Sequence, residues 1–314
     1  MWHYGKTMNE DGAITTGTVA NNGSISGCMS HVSNSTKERM KHINLINNVL
    51  DFHKGGHLEE FTLSFPFHKH FKRLIDKCLN FVVSKKKVEI FQLDLSLSKN
   101  EHRLNLSPFV SLKVLTFNNV DVDDRVVNFF IFNCPLLEKL SIHESRLLTC
   151  VKIVGPSCFN LKDLELCHCI GLDLIKIHNI NLVSFKYIGW KSNFLLENVT
   201  SVLTIDFKMS RALICELNHC FLDHTLPKFN NLKVLVLKVV GVTESLLGIT
   251  PLIEASPYLQ KLHIELEWCE MTISKNRIIR KKCPHQHLKE NMMLKKQEVG
   301  LDDNYKEKFS NESS

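Results

Sequence analysis

The stretches LKVLTFNNV (residues 112–120) and LEKLSIHES (residues 137–145) carry one pattern twice in succession. An apolar residue is followed by two variable ones, a second apolar residue, one variable residue and a third apolar one. Working outward, the same pattern starts at Leu58 (LEEFTL), Val88 (VEIFQL), Leu161 (LKDLEL), Leu182 (LVSFKY), Val202 (VLTIDF), Leu232 (LKVLVL) and Leu259 (LQKLHI). Most of the intervals between successive starts fall in the range of about 20–29 residues that marks leucine-rich repeats. The intervals after Leu58 and Val202 sit just above it. One such match arises by chance in a Leu-rich chain, but nine in register do not.

Two periods dictate the shape. The last two apolar positions of a unit are two residues apart, so they share one face of a short strand. The longer period returns the chain beside the previous strand, and parallel strands need a crossover of that length. The expected fold is therefore α/β: a leucine-rich-repeat solenoid with a curved parallel sheet of about nine short strands. Helices or loops should lie on its convex side. DDRVVNFFIFNCP (123–135) reads as a short helix started by Asp123 or Asp124 and closed by Pro135. LIDKCLNFVVSKKK (74–87) reads as an amphipathic helix whose basic end suits a helix C-terminus. No unit can bury its leucines alone, so stability comes from neighbours. Leu140 and Leu164 should be fully buried in mid-array. The unit at Leu182 should be the least regular, because Tyr187 replaces an aliphatic residue there.

The chain divides around this array. Residues 1–36 contain no Leu, Phe or Pro and read as a disordered tail. Residues 37–57 read as an N-terminal cap segment, with Ile43, Ile46, Val49 and Leu50 at helical spacing. The repeat domain is expected over 58–294 and a second disordered tail over 295–314. No apolar run approaches the roughly 18 residues of a membrane span, and the N-terminal stretch lacks the apolar core of a signal peptide. Eleven cysteines at irregular spacing fit a reduced compartment, so a cytoplasmic or nuclear location is expected. The net charge of +6 is uneven, since residues 275–296 hold eight Lys/Arg against one acid and the remainder is close to neutral. A nucleic-acid binder would carry its basic charge on the folded body, so nucleic acid is not an expected partner.

Four stretches carry a family resemblance: NNVLDFHKGGHLEEFTLSF (47–65), VEIFQLDLS (88–96), NCPLLEKLSI (133–142) and KKCPHQHLKE (281–290). Over roughly residues 40–290 the chain resembles the leucine-rich-repeat region of plant F-box proteins of the FBD-associated type. The resemblance implies a substrate-recognition repeat domain of an SCF-type ubiquitin ligase subunit. It departs from the family at both ends. The F-box, a Leu- and Pro-containing three-helix module, is not encoded by residues 1–36, so a Skp1-type adaptor is not an expected partner. NMMLKKQEVG (291–300) stands where the family continues with a further strand.

Cysteine and histidine approach one another in three places. Cys215, His219, Cys220 and His224 have a spacing possible on a helix, but structural zinc usually uses closer Cys pairs. Cys167, His168 and Cys169 fall at a strand end, where neighbours point to opposite faces. Cys283, His285 and His287 lack a fourth ligand. No metal site and no cofactor is therefore assigned. No nucleophile elbow, P-loop or H-E-x-x-H motif occurs, and an open solenoid offers few dry pockets, so no catalytic residue is assigned and the chain is read as a non-enzyme. Arg280, Lys281 and Lys282 read first as a solvated basic run and second as a nuclear-import signal.

The variable positions of the strands should line one concave surface. Its centre is Lys139, Ser141, His143, Asp163, Glu165, Lys186, Thr204, Asp206 and Lys208, acidic near the fifth unit and basic near the eighth. Mixed polar groups of this kind suit a protein or peptide partner better than a phosphate backbone. The expected function is a protein–protein interaction module. A metal-stabilised or nucleic-acid-binding repeat protein, or a degenerate copy without a partner, are the alternatives.

Overall fold

The computed structural model describes residues 15–20, 24–29, 36–64, 72–85, 87–95, 109–155, 158–189, 192–210, 227–240 and 250–267. Every one of the nine repeat starts precedes a strand by two residues. These strands are β3 (Glu60–Ser64), β4 (Ile90–Asp94), β5 (Val114–Asn118), β6 (Lys139–His143), β8 (Asp163–Cys167), β10 (Ser184–Gly189), β12 (Thr204–Ser210), β13 (Val234–Val240) and β14 (Lys261–Glu267). They pair in that order, all parallel and without a slip: Leu115, Leu140, Leu164, Phe185, Ile205 and Leu235 stand directly opposite one another. A slip of one residue would turn every leucine to solvent, which is why the register is so strongly specified.

Two further strands lie within the segment expected to be a tail. β1 (Thr15–Ala20) and β2 (Ser24–Met29) form an antiparallel pair, and β2 adds in parallel to β3, so the sheet has eleven strands rather than about nine. The open edge of β3 offers backbone groups to any sequence that can extend, and β-branched Thr15, Thr16, Thr18, Val19 and Ile25 favour extension. Leucine is not needed for that.

The convex side carries strands in addition to the expected helices. It holds a second parallel sheet, β7 (Cys150–Val154), β9 (Leu174–His178) and β11 (Asn193–Glu197), in the order β11-β9-β7. These strands belong to the three consecutive units that start at Leu137, Leu161 and Leu182 and end at Val202, which are among the shortest in the array. So short a crossover closes the turn with a strand. Longer units keep helices: α2 (Lys72–Val83), α3 (Asp124–Asn133) and α4 (Thr250–Glu254). Asp123 caps α3 by accepting from Val126 N at 3.0 Å, and the helix stops before Pro135, as expected. Asp124 does different work, accepting from Thr149 N, Thr149 Oγ1 and Cys150 N to hold the start of β7.

α1 (Thr36–Phe52) covers the first turn, with Leu50 buried and Ile43, Ile46 and Val49 against the core. Lys77 of α2 ties to it through Asn47 and Asp51. After α2, Lys85 Nζ donates to the carbonyls of His53 and Gly55 beyond α1 and sits over the Phe81 ring of α2, 4.4 Å from its centroid.

Five of the nine units are sealed by a turn that extends the repeat upstream. The N–H of the first repeat leucine donates to the residue three before it: Leu112 to Phe109, Leu137 to Cys134, Leu161 to Cys158, Leu232 to Phe229 and Leu259 to Ser256. On the convex side Leu172 does the same to Cys169. At the other end of β5, β6 and β8 stand Asn119, Glu144 and His168, each at φ between 54° and 60°. Their N–H groups bond to the next unit's carbonyl while the chain turns away. Asn and His tolerate this left-handed backbone better than Glu.

Tyr187 does not disturb its unit. β10 pairs fully with β8 and β12. The phenol is buried and its oxygen lies 2.8 Å from Ser192 Oγ, which in turn donates to the Leu172 carbonyl. Gly189, the next inward position, makes the room, because a Cβ there would sit 2.1 Å from the Tyr187 hydroxyl. Gly155 has a backbone reason: its Cβ would meet the Asn179 carbonyl at 2.1 Å.

Candidate functional site

The strand register places the outward side chains in three rows across the concave face. One reads Glu60, Ile90, Val114, Lys139, Asp163, Ser184, Thr204, Val234, Lys261. The middle row reads Thr62, Gln92, Thr116, Ser141, Glu165, Lys186, Asp206, Val236, His263, and the third Ser64, Asp94, Asn118, His143, Cys167, Ile188, Lys208, Lys238, Glu265. All nine candidate residues therefore sit on one face of β6, β8, β10 and β12.

They are not equivalent. Ser141 is only 1% exposed and does not offer a contact surface; its hydroxyl donates to Glu165 Oε2 at 3.2 Å. Glu165 also takes Lys139 Nζ at 3.0 Å, so the acid of the fifth unit is closed by the fourth. Burial pushes the Glu165 carboxyl up, but these two hydrogen bonds and the charges of Lys139 and Lys186 outweigh it and hold it below the ordinary carboxylate range. His143 Nε2 lies 3.5 Å from Glu165 without making a hydrogen bond, and burial keeps its imidazole below its usual range. At the far end Lys238 closes Glu265 at 3.0 Å.

Between these two closed pairs the pattern changes. Asp163, Lys186 and Asp206 are half-buried and make no hydrogen bond and no ion pair among the described residues. Burial raises the Asp206 carboxyl, more than the nearby Lys186, Lys238 and His263 lower it. Thr204 is half-buried beside it.

Four members of the face escaped the reading of polar variable positions: Ile90, Val114, Ile188 and Cys167. Strand parity alone would have found them, since they occupy the same positions as Glu60 or Ser64.

The cysteine groups resolve differently. Cys167 is on the concave face, His168 is exposed at a left-handed turn and Cys169 is buried at the start of the next turn, so the three diverge. Burial pushes the Cys167 thiol up to about 11 and that of Cys169 to about 12. Cys134, Cys158 and Cys169 share the turn position three residues before a leucine, which Phe109 and Phe229 also occupy, and all five side chains are buried. Among the described residues no group of three or more His, Cys, Asp or Glu could hold a metal ion. The Cys215–His224 group, Cys283, His285, His287 and the basic run 275–296 lie outside the described residues. No helix among the described residues is long and apolar enough to cross a membrane.

Comparison with known families fits this geometry. The family model described as "At1g61320/AtMIF1, LRR domain" matches residues 28–223, more than half of the chain. The chain belongs to this leucine-rich-repeat family. The match runs from β2 to beyond β12, and β13 and β14 continue the leucine-rich-repeat ladder past it in the same register. No curated protein and no solved structure matches the chain.

Proposed function

We propose that the chain is a protein-interaction module whose concave face, centred on β8, β10 and β12, selects a protein partner. A leucine-rich-repeat solenoid is typically a non-enzymatic scaffold, and its curvature makes an extended binding surface. The observation that supports this reading is the run of half-buried, unbonded Asp163, Lys186 and Asp206 between two internally closed ion pairs. Polar groups left open on a partly desolvated surface are what a complementary partner can use. The four stretches that resemble F-box proteins support a finer version. Joined to an adaptor-binding F-box, such a domain would choose substrates for ubiquitination in the cytoplasm or nucleus.

Affinity capture from cell extract tests it. Thr116→Arg and Thr204→Arg place bulk at two half-buried outward positions and leave the leucines untouched. Partners held by the concave face are lost from the variant that keeps the wild-type melting profile. An unchanged set of partners with both variants would move binding off the concave face.

A further inference from the structure

Lys186 and Asp206 are register partners on adjacent strands at the centre of the concave face. A lysine and an aspartate so placed would ordinarily close on each other. Here they do not, and among the described residues neither makes a hydrogen bond or an ion pair with any other group. Lys186 stands between two carboxylates, Glu165 and Asp206, interacts electrostatically with both and bonds neither. The next outward residue of the same row is Val236, half-buried and apolar. A cation, an anion and an apolar side chain thus follow one another across β10, β12 and β13.

The spacing of that series selects the conformation of what fits it. Neighbouring strands lie roughly 4.8 Å apart, and one α-helical turn advances about 5.4 Å. A helix laid across the strands therefore presents about one side chain to each strand. Over the two intervals from β10 to β13 it drifts by only about 1 Å. An extended chain repeats its face every two residues, about 6.6 Å, and drifts by about 3.6 Å over the same two intervals. A carboxylate and a base one helical turn apart are also common neighbours on helix surfaces.

We propose that this row receives an α-helical segment of a partner protein. That helix carries a carboxylate over Lys186, an ammonium or guanidinium one turn on over Asp206, and an apolar residue a further turn on over Val236. The proposal rests on the concave face being the interaction surface, and it adds the partner's conformation and charge order. Burial of Asp206 without an ion pair fits it, since an arriving base removes the cost of leaving that carboxylate unpaired.

The probe is a displayed library of Ala-rich helical peptides, randomised at three positions one turn apart and selected on the purified chain. The expected winners read acid, base, apolar along the helix, in one chain direction or the other. Selection on the Lys186→Asp/Asp206→Lys protein returns base, acid, apolar, and the original winners bind the swapped protein about tenfold or more weakly. Should the swapped protein not fold, Lys186→Met and Asp206→Asn serve instead, each relaxing the choice at one position only. Winners that lose binding to Val236→Arg but show no charge order would overturn the proposal and leave the concave face as the interaction surface. Winners indifferent to Val236→Arg would overturn both. A library that yields no binder overturns the helical occupant, whereas capture of partners sensitive to Thr204→Arg would still uphold the concave face.

Discussion

Glu165 Oε1 lies 3.0 Å from Lys139 Nζ on the neighbouring strand, with the buried Ser141 hydroxyl bonded to its other oxygen. The most conspicuous acid of the concave face is thus part of the scaffold. Asp163, two residues earlier on the same strand, has no such bond.

This difference predicts opposite outcomes for two charge reversals. Glu165→Lys places a cation beside Lys139 and Lys186 and should destabilise the fold in urea denaturation. Asp163→Lys should change stability by no more than about 0.5 kcal/mol. Because the Glu165 carboxyl is held below its ordinary range, its stabilising share is present above that range and is lost as pH falls through the lowered value. Equal effects of the two reversals at neutral pH would contradict the network.

Asp206 behaves in the reverse sense. Its carboxyl is raised, so the folded chain holds that proton more tightly than the unfolded chain. Stability linked to it is present below the ordinary carboxylate range and is lost as pH rises through the raised value. Asp206→Asn should therefore stabilise at pH 7 by at most about 1 kcal/mol, since solvent still reaches the group. The gain should fade as the pH is lowered into the carboxylate range. Destabilisation by Asp206→Asn at pH 7 would mean that the aspartate has a counter-ion after all.

The buried hydroxyl pair gives a graded prediction. Tyr187→Phe removes one hydrogen bond and should cost about 0.5–1.5 kcal/mol, whereas Ser192→Ala also strips the Leu172 carbonyl of its hydroxyl donor and should cost about 1–3 kcal/mol. A double-mutant cycle in urea should show strong coupling. Additive losses would show that the two hydroxyls act independently.

Leu140 and Leu164 are opposite one another in the inner row, and both are fully buried. Leu140→Ala or Leu164→Ala should cost about 2–5 kcal/mol. In a quasi-linear stack the loss should also loosen the adjoining units, visible as faster amide exchange in β5 and β10. Protection that falls in one strand only would argue against stacking as the source of stability.

We also expect this chain, purified alone, not to bind a Skp1-type adaptor. Residues 1–36 supply no leucine for the apolar faces that such an interface needs. Nanomolar adaptor binding in calorimetry would overturn that expectation.

All nine repeat strands, their parallel order and their inner rows were legible in the chain itself. A leucine every unit and an apolar pair two residues apart leave one way to bury Leu115, Leu140 and Leu164 together. Parity then dictated which residues face outward, including Lys186 and Asp206. The helix closed by Pro135 was equally readable, because a missing N–H and a capping aspartate act locally. Pairings between units, by contrast, depended on which neighbours the coil brought within reach. Whether Glu165 would be closed by Lys139 and Asp206 left open turns on distances between side chains a whole repeat apart, to which spacing is blind. The same holds for β7, β9 and β11, which form because three short units stack and share their convex backbones. It holds for β1 and β2 as well, which use the edge of β3. Hydrophobic period specifies burial one residue at a time, whereas ion pairing and backbone pairing are settled only when separate segments meet.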